Sequence, residues 1–146
     1  MAVMTSLKFA TAVHIMLLLA HENADSPKRA ASSSHLAASI GANAVVIRRV
    51  LAALAAAKLI STKAGSSGGA WLARTPAKIR MSEVYAAVEE PAGPGFRPKG
   101  NSACPVGRAA PGVICGVITA MRLASVTALS RLTLAGLLKK LEAAAR

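Results

Sequence analysis

A tight turn between two helix-like segments, at Gly41-Ala42-Asn43, constrains this chain more than any other feature of its sequence. Glycine takes the left-handed backbone conformation that ends a helix without a steric cost, and Asn43 is a good N-cap for the helix that follows. Any of the three serines Ser32, Ser33 and Ser34 can cap the helix before the turn. After the turn, apolar residues recur at helical spacing at Ile47, Val50, Leu51 and Leu54. The sequence therefore predicts two short helices, of which the second buries this apolar side.

A glycine-rich basic hairpin is expected directly after these helices. Following Lys58 the chain reads L-I-S-T-K, A-G-S-S-G-G and A-W-L-A-R, which predicts two short strands around a flexible tip. The glycines of the tip permit positive φ angles and a close approach of backbone to a phosphate. Lys63 and Arg74 flank the tip. A helix pair followed by such a hairpin is the layout of a winged helix-turn-helix, which binds DNA.

The charge distribution favours a polyanionic partner. The formal net charge is +12, and no acidic residue lies between Asp25 and Glu83. That interval carries nine basic residues: Lys28, Arg29, Arg48, Arg49, Lys58, Lys63, Arg74, Lys78 and Arg80. Such a field suits a phosphate backbone, although a solvated basic surface is the alternative. Aromatic residues make up only 3% of the chain, so binding by base stacking is disfavoured relative to double-stranded DNA.

In this layout the N-terminal end of the second helix enters the major groove. Arg48 is expected to contact a base or a phosphate and Arg49 a phosphate, whereas Asn43 either reads a base or only caps its helix. The serines at the start of the helix before the Gly41 turn offer hydroxyls and free N–H groups to a phosphate. The predicted DNA-contacting set is Ser33, Ser34, Asn43, Val45, Val46, Arg48, Arg49, Lys63, Ser66, Ser67, Gly68, Gly69 and Arg74.

The N-terminal region is expected to complete a DNA-binding domain over residues 1–90. A first helix should run from Ser6 or Leu7 to His21, with Ala10, Val13, Leu17 and Leu18 on its apolar side. Its apolar run superficially resembles a signal peptide, but it is interrupted by polar residues and is too short to span a bilayer. We therefore expect a cytoplasmic protein with no membrane partner.

The C-terminal third divides into a loop and a helical region. Pro91 to Pro111 holds five of the seven prolines, so residues 91–112 are predicted to be a sensing or linker loop. Helical spacing starts near Val113, and a shorter helix is expected from Thr133. Residues 113–146 are expected to form a dimerisation region suited to a palindromic operator, or alternatively to cover the chain's own core. The predicted fold class is mainly α with a small β-hairpin wing and a long C-terminal dimerisation helix.

The order of several motifs resembles the Rrf-two (BadM-type) family of bacterial winged-helix transcription regulators. These are L-A-A-S-I-G-A-N-A-V-V-I-R-R-V-L, A-K-L-I-S, G-S-S-G-G-A-W-L-A-R-T-P-A-K-I-R-M-S-E-V-Y-A-A-V-E, C-P-V-G-R and L-S-R-L-T-L-A-G-L. The resemblance implies a homodimer that crosses through the long C-terminal helix, binds a palindromic operator and usually represses transcription. It also implies that Arg48 tunes sequence choice and that the loop after Pro91 senses a small-molecule or redox signal.

The cysteines argue against a cofactor. Some members of that family hold an iron-sulfur cluster with three cysteines, whereas this chain has only Cys104 and Cys115, with Ala110 where the middle thiol would stand. Such clusters want thiolate ligands, usually four, so no cofactor is expected, and the chain resembles the cluster-free branch. Cys104 could act as a redox-sensing thiol with Arg108 nearby, or serve as a structural cysteine.

Enzyme activity is not expected. The sequence holds no metal-ligand spacing and no paired carboxylates or catalytic triad. The alternative to a sequence-specific repressor is a non-specific nucleic-acid-binding or architectural protein.

Overall fold

The computed structural model describes residues 7–89 and 99–146 of the chain. In these residues the fold is mainly helical with one antiparallel two-stranded hairpin, which confirms the predicted fold class. The elements are α1 (Leu7–His21), α2 (Ser33–Ile40), α3 (Ala44–Ala56), β1 (Ile60–Lys63), β2 (Gly69–Leu72), α4 (Met81–Val88), α5 (Pro105–Leu129) and α6 (Leu134–Ala144).

The core lies between α1, α3, α4 and the base of the hairpin. Its largest fully buried side chains are Ile15, Met16, Leu19, Leu36, Ile47, Leu54, Leu59, Ile79, Met81, Val84 and Leu134. Apolar residues at i, i+3, i+4 and i+7 explain how α3 buries one side, and its four predicted core residues are all buried.

The predicted apolar side of α1 was only partly right, because Val13, Leu17 and Leu18 pack against the core but are not its fully buried residues. The helix buries Thr11, Ala12, Ile15, Met16, Leu19 and Ala20, while Ala10 is exposed and Val13, Leu17 and Leu18 are half-buried. Because α2, α3, α4, α6 and the hairpin all pack around this helix, most of its circumference is apolar and its sequence does not single out one side. Ser6, the predicted cap, lies outside the described residues.

Side-chain caps define the helix pair at the centre of the fold. Ser32 Oγ accepts a hydrogen bond from the His35 N–H at 3.2 Å, and Asn43 Oδ1 accepts one from the Val45 N–H at 2.8 Å. Gly41 has φ +69° in the left-handed region, as predicted. The axes of α2 and α3 differ by 114° across this turn, which is the geometry of a helix-turn-helix.

The hairpin is anchored to the segment before α2. Its strands pair Ile60 with Leu72 and Lys63 with Gly69, and Ala31 adds a bridge to Ala70 through two backbone hydrogen bonds of 2.9 and 2.8 Å. A Cβ atom on Gly69 would lie 2.5 Å from the Ala31 carbonyl oxygen, so glycine is the residue that permits this approach. The hairpin is therefore held beside the N-terminus of α2.

The long C-terminal helix begins earlier than predicted. It starts at Pro105 rather than near Val113, so the second part of the predicted 91–112 loop is helical, and Pro111 lies inside the helix. Proline suits the first turn, where no intrahelical N–H is needed. An interior proline removes one backbone bond and crowds the carbonyl four residues earlier, yet α5 continues through Pro111. The predicted loop residues 91–98 lie outside the described residues.

The C-terminal region is also defined by the cap of α6 and by the apolar character of α5. Thr133 caps α6 by accepting a bond from the Gly136 N–H at 3.1 Å, which confirms the predicted start. Among the described residues, α5 is the one uninterrupted helix that is long and apolar enough to cross a bilayer. None of the residues in its apolar stretch is buried. The bent pair α2 and α3 passes only if the two helices are counted together.

Candidate nucleic-acid interface

A groove of about 510 Å³ separates the N-terminus of α2 and one side of α3 from the hairpin. Its lining contains two cationic side chains, those of Arg48 and Lys63, and no acidic residue. The lining residues are Ser32, Ser33, Ser34, Arg48, Leu51, Ala52, Thr62, Lys63, Ala64, Gly65, Ser66, Gly68 and Gly69. The fold thus brings the N-terminus of α2, an arginine of α3 and the hairpin tip to one surface.

Most of the predicted contact residues lie at this groove or at its edges. Ser33, Ser34, Arg48, Lys63, Ser66, Gly68 and Gly69 line it, and Ser67 is exposed at the hairpin tip. Asn43 and Val45 stand exposed at the start of α3, where Val45 leaves 51% of its surface accessible. Val46 is half-buried and packs against the core, so it offers little surface to a ligand.

Arg49 lies on a different side of α3 from Arg48. It lines a smaller pocket of about 220 Å³ together with Lys8, Val50, Ala53, Ala87 and Val88. An α-helix turns by about 100° per residue, so Arg48 and Arg49 point in different directions, and here only Arg48 lines the groove. Arg49 is therefore placed beside the groove rather than within it.

Arg74 does not join the groove. Its guanidinium Nη1 lies 3.0 Å from Glu83 Oε1, and it donates a longer bond to the Lys78 carbonyl. The pKa of the Glu83 carboxyl lies below its usual value. The hydrogen bond from the Arg80 backbone N–H lowers it most, and the Arg74 guanidinium lowers it further, although burial opposes the effect. Arg74 stands in a pocket with Asp25 at the far end of β2. Sequence position alone suggested a wing residue, whereas the strand carries Arg74 away from the tip.

The groove cations are not neutralised within the described part of the chain. Salt bridges there join Arg29 with Asp25, His35 with Glu22, and Arg74 with Glu83. Arg48 and Lys63 take part in none of them, so their charge is directed to solvent and to any polyanion that enters. The predicted contact set omits six residues that also line the groove: Ser32, Leu51, Ala52, Thr62, Ala64 and Gly65. Thr62 and Ala64 flank Lys63 in the chain, which was an available signal.

A helix-turn-helix with a wing and a cationic groove is a DNA-binding arrangement found in more than one family, so sequence comparison decides which one is present. The profile of the Rrf2 family, described as an iron-dependent transcriptional regulator, matches residues 5–140. The chain belongs to the Rrf2 family. It is therefore a DNA-binding transcriptional regulator and not an enzyme.

Relatives agree with this assignment. The Rrf2 chain is 32% identical over 106 residues to YwnA of Bacillus subtilis, an HTH-type transcriptional regulator by its name, and the match covers 72% of this chain and 74% of the relative. A transcriptional regulator from Lactobacillus plantarum has a TM-score of 0.74 at 23% identity, covering 94% and 91% of the two chains. IscR of T. potens has a TM-score of 0.68 at 23% identity, covering 98% and 91%. The two solved structures support the fold.

The cysteines of this Rrf2 protein do not fit an iron-sulfur cluster held within one chain. Cys104 is exposed at the N-cap of α5, and Cys115 is half-buried on the same helix. Eleven residues along a helix correspond to roughly 16 Å, much farther than two ligands of one cluster can lie. Within residues 7–89 and 99–146, no group of three or more His, Cys, Asp or Glu side chains could hold a metal ion.

Proposed function

We propose that this Rrf2 regulator binds a palindromic operator as a homodimer and represses transcription by occupying it. The observation that carries the proposal is the groove itself, in which Arg48 of the helix-turn-helix and Lys63 of the wing face the same space without an acidic neighbour. One element then reads the major groove while the other holds the adjacent backbone.

Each part of the surface has a distinct proposed role. Arg48 reads a base edge, for which a bidentate bond to guanine is the best-matched contact, and exposed Val45 meets a thymine methyl group. Lys63 and the hairpin serines bind phosphates. The free N–H groups at the start of α2, beside Ser33 and Ser34, bind a further phosphate. Arg49 contributes charge from the side of the helix and does not read bases.

We propose that a second copy of the chain buries the exposed apolar side of α5. Val113, Val117 and Met121, spaced four residues apart, form one stripe with 69%, 65% and 61% of their surface exposed. An apolar stripe of this length on a soluble protein marks an interaction site. Two such helices crossing would give the two-fold symmetry that a palindromic operator requires.

A lipid bilayer is the competing cover for α5, because the helix is long and apolar enough to cross one. Two features favour the protein partner. The helix carries Arg108 and Arg122, and charges within the hydrocarbon region are costly. The helix also packs along one side on α4, which belongs to the core of the DNA-binding domain. We therefore propose that α5 contacts a protein and that this DNA-binding regulator acts in the cytoplasm.

We further propose that regulation does not use an iron-sulfur cluster. The distance between Cys104 and Cys115 along α5 supports this proposal. An effector that acts on the thiol of Cys104, or a small molecule, remains the prediction for the signal. Purified protein supplied with iron and sulfide should show no charge-transfer absorption, and a stoichiometric cluster would contradict the proposal.

Selection of bound sequences from random duplex DNA tests the main proposal. We expect a two-fold symmetric motif, with Arg48→Ala raising the Kd for that motif about tenfold or more and leaving the Kd for random DNA within about threefold. Arg49→Ala is the matched control, since it removes the same charge from the adjacent residue and should affect both duplexes equally. Enrichment of no motif would favour the alternative, a non-specific or architectural DNA-binding protein.

A further inference from the structure

The connection between α5 and α6 is joined to the DNA-binding domain by a short backbone ladder. The Met81 N–H donates to the Leu132 carbonyl and the Leu134 N–H to the Ile79 carbonyl, both at 2.9 Å, and Arg80 forms a bridge with Thr133. Ile79, Met81 and Leu134 are buried. The C-terminal end of α5 is therefore fixed to the segment that precedes α4.

The side chain of Arg80 adds a bond that bears on the direction of α5. Its Nη1 donates to the Ser130 carbonyl oxygen at 2.9 Å, and Ser130 is the C-cap of α5. The last carbonyls of a helix lack intrahelical partners and form the negative end of its dipole, so a guanidinium is well matched to them. Arg80 thus holds the last turn of α5 directly.

The same residue is connected to the exit of the hairpin through Glu83. Glu83 Oε2 accepts the Arg80 backbone N–H at 3.0 Å, and Oε1 accepts the Arg74 guanidinium at 3.0 Å. Arg74 follows the end of β2. The Glu83 carboxylate therefore connects Arg74, at the end of the wing, to Arg80, which binds the C-terminus of α5.

We propose that Arg80 is a positioning residue that fixes the angle at which α5 leaves the winged unit, and thereby the separation of the two recognition helices in the dimer. The inference rests on the proposed homodimer. A helix of 25 residues is about 37 Å long, so a change of about 10° at its end moves its far end by roughly 6 Å. That displacement approaches two base pairs, which is enough to misplace one recognition helix on a half-site.

The readout is the dependence of Kd on half-site spacing, because a residue that only stabilises the fold would not change this dependence. The probes are the selected operator, versions with one or two base pairs inserted or deleted at the centre, and a single half-site. For the wild type we expect a sharp spacing optimum, with a two-base-pair change raising Kd about tenfold or more. For Arg80→Ala the Kd for the optimal spacing should rise about fivefold, and the spacing penalty should fall below about threefold.

Two variants keep the test interpretable. Arg80→Lys can still donate one bond to the Ser130 carbonyl and should recover most of the spacing preference. This variant keeps the test usable if Arg80→Ala folds poorly. Arg131→Ala removes an exposed cation next to Ser130 that does not donate to the Ser130 carbonyl, and this variant should behave as wild type.

The outcomes separate the two proposals. A flattened spacing profile with unchanged melting temperature and unchanged single-half-site Kd supports the positioning role. An equal loss of affinity at every spacing, or an unchanged profile in Arg80→Ala, overturns it while the homodimer stands. A wild-type protein that is monomeric by light scattering and insensitive to spacing overturns both.

Discussion

Arg48 and Arg49 are neighbours in the chain, yet Arg48 lines the groove beside the wing and Arg49 lines a separate pocket next to Lys8. The helical rotation of about 100° between them separates two identical side chains into two environments. The same rotation provides the matched pair for testing base reading, because both substitutions remove one positive charge from α3.

Lys63 is expected to contribute affinity without specificity. Lys63→Ala should weaken binding to the operator and to random DNA by similar factors and lower the slope of log K against log salt by about one unit, since one phosphate contact is lost. Fluorescence anisotropy between low and physiological salt measures this slope. Lys58→Ala, which removes a cation outside the groove, is the control. A specificity change in Lys63→Ala would instead assign base reading to the wing.

Asn43 has a structural role that must be separated from base reading. Its Oδ1 accepts the Val45 N–H at 2.8 Å, so Asn43→Ala should lower the free energy of unfolding by about 1 kcal/mol through loss of the cap. Asn43→Ser keeps a capping oxygen and should retain most of that stability. Chemical denaturation and operator binding of the two variants separate the roles. Weak operator binding by a stable Asn43→Ser protein would show that the asparagine also reads a base.

The apolar stripe on α5 predicts a specific way to break the dimer. Val117→Arg places a charge at the centre of the stripe and should convert the protein to a monomer that binds the full operator no more tightly than a half-site. Light scattering measures the mass. Thr119→Arg, two residues on and on a different side of the helix, is the control and should remain dimeric. Recovery of Val117→Arg as a dimer would place the interface elsewhere.

Glu83 predicts a pH dependence of stability. Its carboxyl has a lowered pKa because it accepts the Arg80 backbone N–H and the Arg74 guanidinium, so it stabilises the fold above the unfolded value of 4.5. That contribution is lost as the pH falls through the lower folded value. Urea unfolding should therefore show Glu83→Gln less stable than wild type at pH 7, with the difference shrinking below about pH 4.5. Glu142→Gln, an exposed position on α6, should show no such convergence.

The local signals in the sequence determined the elements of the DNA-binding unit. The caps at Ser32 and Asn43, the left-handed Gly41 and the apolar spacing of α3 act over a few residues, so they could be read without knowing the fold. The Gly-rich hairpin followed from the same kind of short-range preference. The start of α5 could not be read in this way, because prolines usually mark loops, whereas α5 begins at Pro105 and continues through Pro111.

Only the tertiary structure decided which residues share a surface. Ser33, Arg48 and Lys63 meet because a 114° turn and a strand pairing bring distant segments together, whereas β2 carries Arg74 away from the tip, where it pairs with Glu83. The buried side of α1 likewise depends on five neighbouring elements, and the bond from Arg80 to Ser130 spans fifty residues of sequence. Such contacts depend on how whole elements pack, and sequence periodicity records only that an element has an apolar side, not what lies against it.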